Sequence, residues 1–229
     1  MKLDYPDYEI IVVDNNSTDD TEAVVKSYPD VVYAREERQG LAFARNKLLS
    51  VCNSDFLGIL DDDETVKDDW INQMLECFSL DKNVIAVGGP YLPIYEIEKP
   101  GWLPDNFFVY KNELRGCKVY SKMSLAGGNA MIKVDVAKSR GVKFDVSLGY
   151  NGKNILSGED VDFFDKLIQA GDVCGFTEYA PINHYIDKGK LTFRWILRTQ
   201  TSHTKKLKET HSISRISRLK YNLILSYAL

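Results

Sequence analysis

From residue 8 to residue 90 the chain alternates between unbroken apolar runs and segments of helical spacing. YEIIVVD, from Tyr8 to Asp14, is β-branched and apolar up to its terminal aspartate, and predicts a buried strand of the kind found in parallel sheets. In the polar NNSTDDT that follows, Ser17 or Thr18 can cap a helix starting near Asp19 and running to about Tyr28, where Pro29 helps to end it. VVYARE predicts a second strand, and GLAFARNKLLSVC a second helix with Leu41, Ala44, Leu48 and Leu49 on one face. DFLGILDDD predicts a third strand, TVKDDWINQMLECF a third helix and VIAVGGP a fourth strand. This alternation predicts a doubly wound α/β fold, in which ligands bind outside the carboxyl ends of the strands. Those ends carry Asp14, then Glu36 and Glu37, then Asp61, Asp62 and Asp63.

Beyond Tyr91 the periodicity weakens. PGWLPDNFFVYKNELRG mixes prolines, aromatics and charges, and reads as an irregular excursion in which Trp102, Phe107, Phe108 and Tyr110 pin the loop or stack on a sugar, packing being preferred. Order resumes at LAGGNAMIKVDVAKSRG, where Gly127 and Gly128 permit close backbone approach, AMIKV predicts a strand, and DVAKSRG a short helix closed by Gly141. Glu159 and Asp160 open a further helix that ends at Gly171, with Phe163 and Leu167 on its inner side. A carboxylate at a helix N-terminus has its charged form stabilised, so a base there acts by placement rather than by a raised pKa.

Composition narrows the class. The chain has 229 residues, 44% hydrophobic and 27% charged, with a formal net charge of -4, which fits a folded globular protein and gives no overall basic character for nucleic acid. Cys52, Cys77, Cys117 and Cys174 lie far apart, which argues against a zinc ribbon or a disulfide scaffold and fits a reducing compartment. With no apolar run of spanning length and no signal-peptide core at the N-terminus, the expectation is a cytoplasmic protein. In the C-terminal segment, Lys205, Lys206, Lys208, Arg215, Arg218 and Lys220 interleave with Leu207, Ile213, Ile216 and Leu219. That pattern suits either an amphipathic helix on the cytoplasmic face of an anionic membrane or a solvated helix closing the domain.

The candidate chemistry centres on the aspartates. Asp61 and Asp63, one residue apart beyond a strand end, point the same way if the chain stays extended, and Asp62 points away. Oxygen ligands grouped in this way suit Mg²⁺ or Mn²⁺, especially a cation shared with a phosphate ligand. Arg45 is a candidate for diphosphate oxygens or for a surface salt bridge. His184 is a candidate nitrogen ligand to the same cation, although on residue type alone a structural role is favoured. No GxxxxGK[ST] loop is present, and no GxGxxG follows the first strand.

IIVVDNNSTDDT, GLAFARN, FLGILDDDE, AGGNAMI and GEDVDF stand in the order seen in family 2 glycosyltransferases, and together the chain resembles that family from about Tyr8 to His184. The resemblance implies a GT-A fold, a mixed but mainly parallel doubly wound sheet flanked by helices, and an inverting hexosyl transfer from a nucleoside-diphosphate sugar, a UDP-sugar first among them. The acceptor would be a hydroxyl of a saccharide or lipid-linked compound, in polysaccharide, cell-envelope or glycolipid synthesis. By the same resemblance Asp14 contacts the nucleobase, Arg45 lies near the nucleotide, Asp61 approaches the ribose, and Asp62 belongs to the same nucleotide-binding cluster. Asp63 and His184 then reach the divalent cation, Asp160 is the general base, and Glu159 is its supporting neighbour. The expected division is a nucleotide-sugar part over 1–90, an acceptor and catalytic part over 91–190, and the basic segment over 191–229.

Three departures accompany the resemblance. The family's opening strand, of the VSVVIPTYN kind, has no counterpart here, so the expectation is a fragment or a fold in which something else replaces that strand. Asp165 stands where many relatives carry arginine, and QTSHT does not match the QxxRW of processive relatives, which favours transfer of a single sugar. A nucleotidyltransferase on a related sheet is the alternative enzyme, and DNNSTDDT is poor for it; a catalytically degenerate nucleotide-sugar-binding module is the non-enzymatic alternative.

Overall fold

The computed structural model describes residues 3–111, 115–121, 123, 125–150 and 158–199. Strand β1 (Ile10–Asp14), helix α1 (Thr21–Lys26) and strand β2 (Val31–Arg35) form a parallel βαβ unit, with Asp14 opposite Arg35 at its carboxyl end. Helix α2 (Leu41–Val51) leads to β3 (Phe56–Ile59), and β4 (Glu64–Val66) and α3 (Trp70–Ser79) follow. Then come β5 (Val84–Gly88), β6 (Tyr91–Tyr95), β7 (Cys117–Tyr120), β8 (Ala130–Lys133) and α4 (Val134–Ser139). Helix α5 (Glu159–Leu167), β9 (Val173–Thr177) and β10 (Ile182–Ile186) complete the named elements, and 193–199 is helical.

The strands form three sheets: β1-β2, β4-β10-β6, and the central β3-β8-β5-β9-β7. In the central sheet β5 and β9 are parallel, while β8 lies antiparallel between β3 and β5, and β7 lies antiparallel on β9. Each face of that sheet has its own core. Leu57, Ile59, Ile85 and Ile132 pack with Leu49 of α2 and with Phe163, Phe164 and Leu167 of α5. Val84, Val87 and Met131 face Trp70, Met74, Cys77 and Phe78 of α3. β8 alternates with period two, one residue to each layer, whereas a register shift between Val84 and Ala86 puts both Ile85 and Ala86 of β5 in the α2–α5 core.

Asn129 ties three loops together at the top of the sheet. Buried at 1% exposure, it accepts a hydrogen bond from Trp70 Nε1 at 3.0 Å and donates to the Pro90 and Ala180 carbonyls, each at 3.0 Å. Gly89 must be glycine beside it, because a Cβ there would lie 2.2 Å from the Ala180 oxygen.

Several elements differ from what the pattern predicts. β1 is not buried: Ile10 is 41% exposed, Ile11 to Val13 are half-buried, and only Asp14 is enclosed. Among the described residues β1 hydrogen-bonds only to β2, so its sheet does not continue into β3. The third helix starts at Trp70, because Glu64–Val66 is drawn into antiparallel pairing with β10. The helix expected to reach Gly171 ends at Leu167. The weakly patterned stretch after Tyr91 holds strands β6 and β7, and its aromatics pack: Phe107 and Phe108 lie against Leu103, Ile186, Leu191 and Trp195, and Trp102 meets Phe193 edge-on. Cys77 and Cys117, 40 residues apart in sequence, are joined as a disulfide, a single bridge that the reading of a reducing compartment did not anticipate. Packing of α3 over β7 and β9 brings them together above Gly175, and a separation in sequence carries no information about that approach. Cys52 and Cys174 are free and buried.

Replacing Asn129 by alanine leaves the indole N–H of Trp70 and two buried carbonyls without their partner. Stability to urea is expected to fall by about 3 kcal/mol, with an unchanged dependence on denaturant concentration.

Candidate active site

Arg45 lies at the centre of the site. The GLAFARN helix turns it inward, at 5% exposure, between two acidic segments distant in sequence. Its Nη2 donates to both carboxylate oxygens of Asp61, at 3.0 and 3.1 Å, and its Nη1 donates to Glu159 Oε1 at 3.1 Å. Nε is buried without a partner. The guanidinium joins the carboxyl end of β3 to the start of α5, and both of its terminal nitrogens are engaged.

The Gly127–Gly128 turn enters the same space. A Cβ on Gly127 would fall 2.4 Å from Arg45 Nη1, and one on Gly128 2.6 Å from Glu64 Oε1 and 2.8 Å from Asp61 Oδ2. The close approach anticipated for these glycines is thus an approach to charged side chains. The Gly127 N–H donates to Asp160 Oδ2 at 3.2 Å, and the Val161 N–H donates to Asp160 Oδ1 at 2.8 Å. These bonds orient the half-buried Asp160 carboxylate and leave further lone pairs on both oxygens. Its neighbour Glu159 is buried, and burial followed by the charge of Asp160 pushes its carboxyl upward against the pull of Arg45.

Asp63 is held from the opposite wall. Lys190 Nζ lies 2.7 Å from its Oδ2 and His184 Nε2 lies 3.3 Å from the same atom. The Tyr185 N–H donates to the Asp63 carbonyl at 2.8 Å, so pairing of β10 with β4 sets the loop's position. Burial pushes the Asp63 carboxyl upward, but the hydrogen bonds from His184 and Lys190 outweigh it and hold the group at about 2. Glu64 moves the other way. Burial, then the charge of Asp61, pushes it up to about 9, and its Oε2 accepts the Asp61 N–H at 2.8 Å. Asp62 is exposed, as its alternation in the loop requires.

Asp14 stands at the same end of the fold. Its carboxylate is enclosed, accepting Tyr33 Oη at 2.7 Å, Arg35 Nη1 at 2.8 Å and the Ser17 N–H at 2.8 Å. Asn15 next to it accepts the Gly40 N–H at 2.7 Å and donates to the Arg38 carbonyl at 2.8 Å, which fixes the turn leading into α2. The first turns of α2 thus hold the loop after β1 through Gly40 and the loop after β3 through Arg45.

One cleft of about 1840 Å³ runs along these residues, lined at its polar end by Asp14, Asn15, Arg45, Asp61, Asp62, Asp63 and Lys190. Glu159, Asp160 and His184 stand behind this wall through the contacts above. Lys190 was not anticipated, being 127 positions from Asp63 with no local motif. Glu64 had a signal, its place directly after the aspartates, but nothing local marked it as half-buried against Asp61.

A mixed sheet between helical layers, with an acidic crevice at the carboxyl ends of its strands, defines a GT-A glycosyltransferase fold. The pattern described as "Glycosyl transferase family 2" matches residues 1–141, and the chain belongs to that family. The succinoglycan biosynthesis protein ExoM of Rhizobium meliloti is 30% identical over 195 residues, covering 82% of this chain and 60% of that protein. The glucosyl-dolichyl phosphate glucuronosyltransferase of Haloferax volcanii is 22% identical over 201 residues, covering 84% of this chain and 64% of that one. The chain thus spans 60 to 64% of the length of these curated relatives. Among solved structures, S. aureus TarS 1–349 in complex with UDP superposes with a TM-score of 0.59 at 15% identity, over 97% of this chain and 62% of that one. GalNAc-T7 with UDP, GalNAc and Mn²⁺ superposes with a TM-score of 0.56 at 18% identity, over 78% and 38%. No helix among the described residues is long and apolar enough to cross a membrane, and the basic positions from Lys205 to Lys220 lie outside the described residues.

Because Asp63 sits at about 2 rather than at its ordinary 3.8, its contribution to stability is complete above about pH 4 and is lost as the pH falls toward 2. Thermal unfolding in chelator from pH 6 down to pH 2 should show Asp63→Asn losing less stability over the acid range than the unsubstituted chain.

Proposed function

We propose that this chain is the catalytic part of an inverting, divalent-cation-dependent glycosyltransferase. It would move a hexosyl group from a nucleoside-diphosphate sugar, with UDP as the nucleotide, to a hydroxyl of a saccharide or lipid-linked acceptor in envelope or polysaccharide synthesis. One observation carries this reading. Arg45 and the Gly127–Gly128 turn draw the acidic loop of β3 and the Glu159–Asp160 pair into one place, so a donor site and a base site adjoin.

In this reading Asp160 accepts the proton of the acceptor hydroxyl as its oxygen attacks the anomeric carbon and the nucleoside diphosphate departs. The two backbone N–H groups on Asp160 aim the carboxylate, which suits a base that works by placement. Glu159 and Arg45 are positioning residues: through them the base and Asp61 share one rigid support. Asp61 and exposed Asp62 would meet the ribose and nucleotide along the cleft, and Asp14, enclosed by Tyr33 and Arg35, would shape the nucleobase end.

The residues around Asp63 fit a hard divalent cation. Asp63 offers a carboxylate and His184 a ring nitrogen within 3.3 Å of one another, beside the cleft. No set of three His, Cys, Asp or Glu side chains among the described residues could hold a metal alone. A cation relying on two protein ligands takes the rest from substrate phosphates and water, as Mg²⁺ characteristically does. When bound, Mg²⁺ or Mn²⁺ would neutralise charge developing on the leaving diphosphate. Lys190, on the same carboxylate oxygen, would add a further positive charge there.

Two measurements test the reading. In single-turnover transfer to an identified acceptor, Asp160→Asn should lower the rate by about 10² to 10⁴-fold with donor affinity little changed, and Glu159→Gln should cost less. Collapse only in Glu159→Gln assigns the base to Glu159; normal rates in both remove the mechanism. In calorimetry, UDP should bind more tightly with Mn²⁺ than with chelator, and Asp63→Asn should bring the affinity to the metal-free level. Equal affinities under both conditions remove the cation.

A further inference from the structure

Lys190 and the proposed cation have a claim on the same atom. Asp63 Oδ2 has Lys190 Nζ 2.7 Å away and His184 Nε2 3.3 Å away. An ammonium at hydrogen-bonding distance already matches the charge of that oxygen, and a divalent ion brought to it would meet a like charge at close range. Lys190 can therefore lend its charge to a departing diphosphate only by leaving Asp63.

The surroundings hold the backbone still and leave the side chain room to move. The Gly189 N–H donates to Asp187 Oδ1 at 2.7 Å, the Lys190 N–H to the Asp187 carbonyl at 3.0 Å, and Thr192 Oγ1 to the Gly189 carbonyl at 2.9 Å. This turn is pinned on one side by the Lys188 N–H, which donates to Glu96 Oε2 at 2.8 Å, and on the other by Leu191, buried against Leu103, Ile186 and Ile196. Asp63 is fixed in turn by the Tyr185 N–H on its carbonyl. The Lys190 side chain is 27% exposed and lines the cleft. Of the other acids at that end, Asp14 and Asp61 are paired with Arg35 and Arg45, Asp187 closes its own turn, and Asp62 faces water. A nucleotide diphosphate is then the anion best able to receive the ammonium. A point charge on a flexible stem suits such an exchange better than the fork of arginine, which grips a carboxylate by two bonds at once.

We propose that Lys190 is an exchangeable counter-ion: its ammonium pairs with Asp63, yields Oδ2 to the divalent cation, and swings to the diphosphate. It opposes the cation bound alone and assists the cation bound with nucleotide, so the site takes the two together in preference to the metal by itself. Charge gives the direction of both effects. On Asp63 the ammonium and the cation are rivals; with the ammonium on diphosphate oxygens, both serve the same anion. The inference rests on the proposed cation role of Asp63 and goes beyond it, because it gives Lys190 effects of opposite sign in two binding steps. A contact that only held the loop in shape would weaken both steps when removed.

The test uses the full 229-residue chain with Lys190→Met, which keeps an unbranched stem and removes the charge, and Lys190→Arg, which keeps the charge. Binding of Mn²⁺ alone is read from the paramagnetic resonance signal of the free ion, and binding of UDP at saturating Mn²⁺ by calorimetry. Lys190→Met should bind Mn²⁺ alone about tenfold or more tightly than the unsubstituted chain, and UDP with Mn²⁺ about tenfold more weakly. Lys190→Arg should change both by less. Equal or weaker Mn²⁺ binding in Lys190→Met overturns the proposal, and so does tighter Mn²⁺ binding with unchanged UDP affinity, which would leave the ammonium off the diphosphate. The unsubstituted chain gives a second readout that requires no variant to fold. Acetylation of Lys190, followed by mass spectrometry, should speed up with Mg²⁺ alone and slow again when UDP is added; a rate indifferent to Mg²⁺ overturns the exchange. Failure of any of these proteins to bind Mn²⁺, with or without UDP, removes the cation role of Asp63 and this inference with it. A UDP affinity that depends on Mn²⁺ and on Asp63, with equal Mn²⁺ binding in Lys190→Met, removes this inference alone.

Discussion

The buried guanidinium of Arg45 is the constraint on which the site depends. A charge at this depth is costly unless its hydrogen-bonding capacity is met by opposite charge, and Asp61 and Glu159 meet most of it from loops 98 residues apart, Asp61 and Glu159 each giving up water to do so. Neither carboxylate is as well placed without the cation between them. The planar fork of arginine reaches both at once, which a lysine ammonium on a flexible stem does not reproduce.

Around that ion triad the backbone is unusually close. Gly127 and Gly128 pass where any Cβ would overlap Arg45, Asp61 or Glu64, and in passing they present an N–H to Asp160. Asn129, the next residue, turns its side chain the other way and ties Trp70, Pro90 and Ala180 together. Three consecutive residues therefore connect the polar site to the α3 core, so packing beneath the sheet and charge geometry above it are set by one short turn.

Opposite charge displacements on adjacent carboxyls give the acidic loop its character. Asp63 is held ionised by Lys190 and His184, while Glu64, one residue on, is half-buried near Asp61 and resists ionisation. A loop that reads as four equivalent acids thus holds a carboxylate facing the cleft and a carboxyl that supports the backbone from behind. The difference comes from β10, whose pairing with β4 puts Glu64 inside and carries His184 to Asp63.

Local order was legible in the sequence wherever one element decides it. The βαβ start, the strand before the aspartates, the apolar face of α5 and the close approach at Gly127–Gly128 follow from periodicity and residue type, and the ordered motifs pointed to the family that the chain belongs to. Tertiary structure alone decided what depends on meetings between distant segments. It buried Arg45 between Asp61 and Glu159, brought Lys190 to Asp63, joined Cys77 to Cys117, and left β1 half-exposed. A side chain's type fixes which partners would satisfy it, but its charge state and role depend on which of them the folded chain brings within hydrogen-bonding distance, and burial makes that choice consequential.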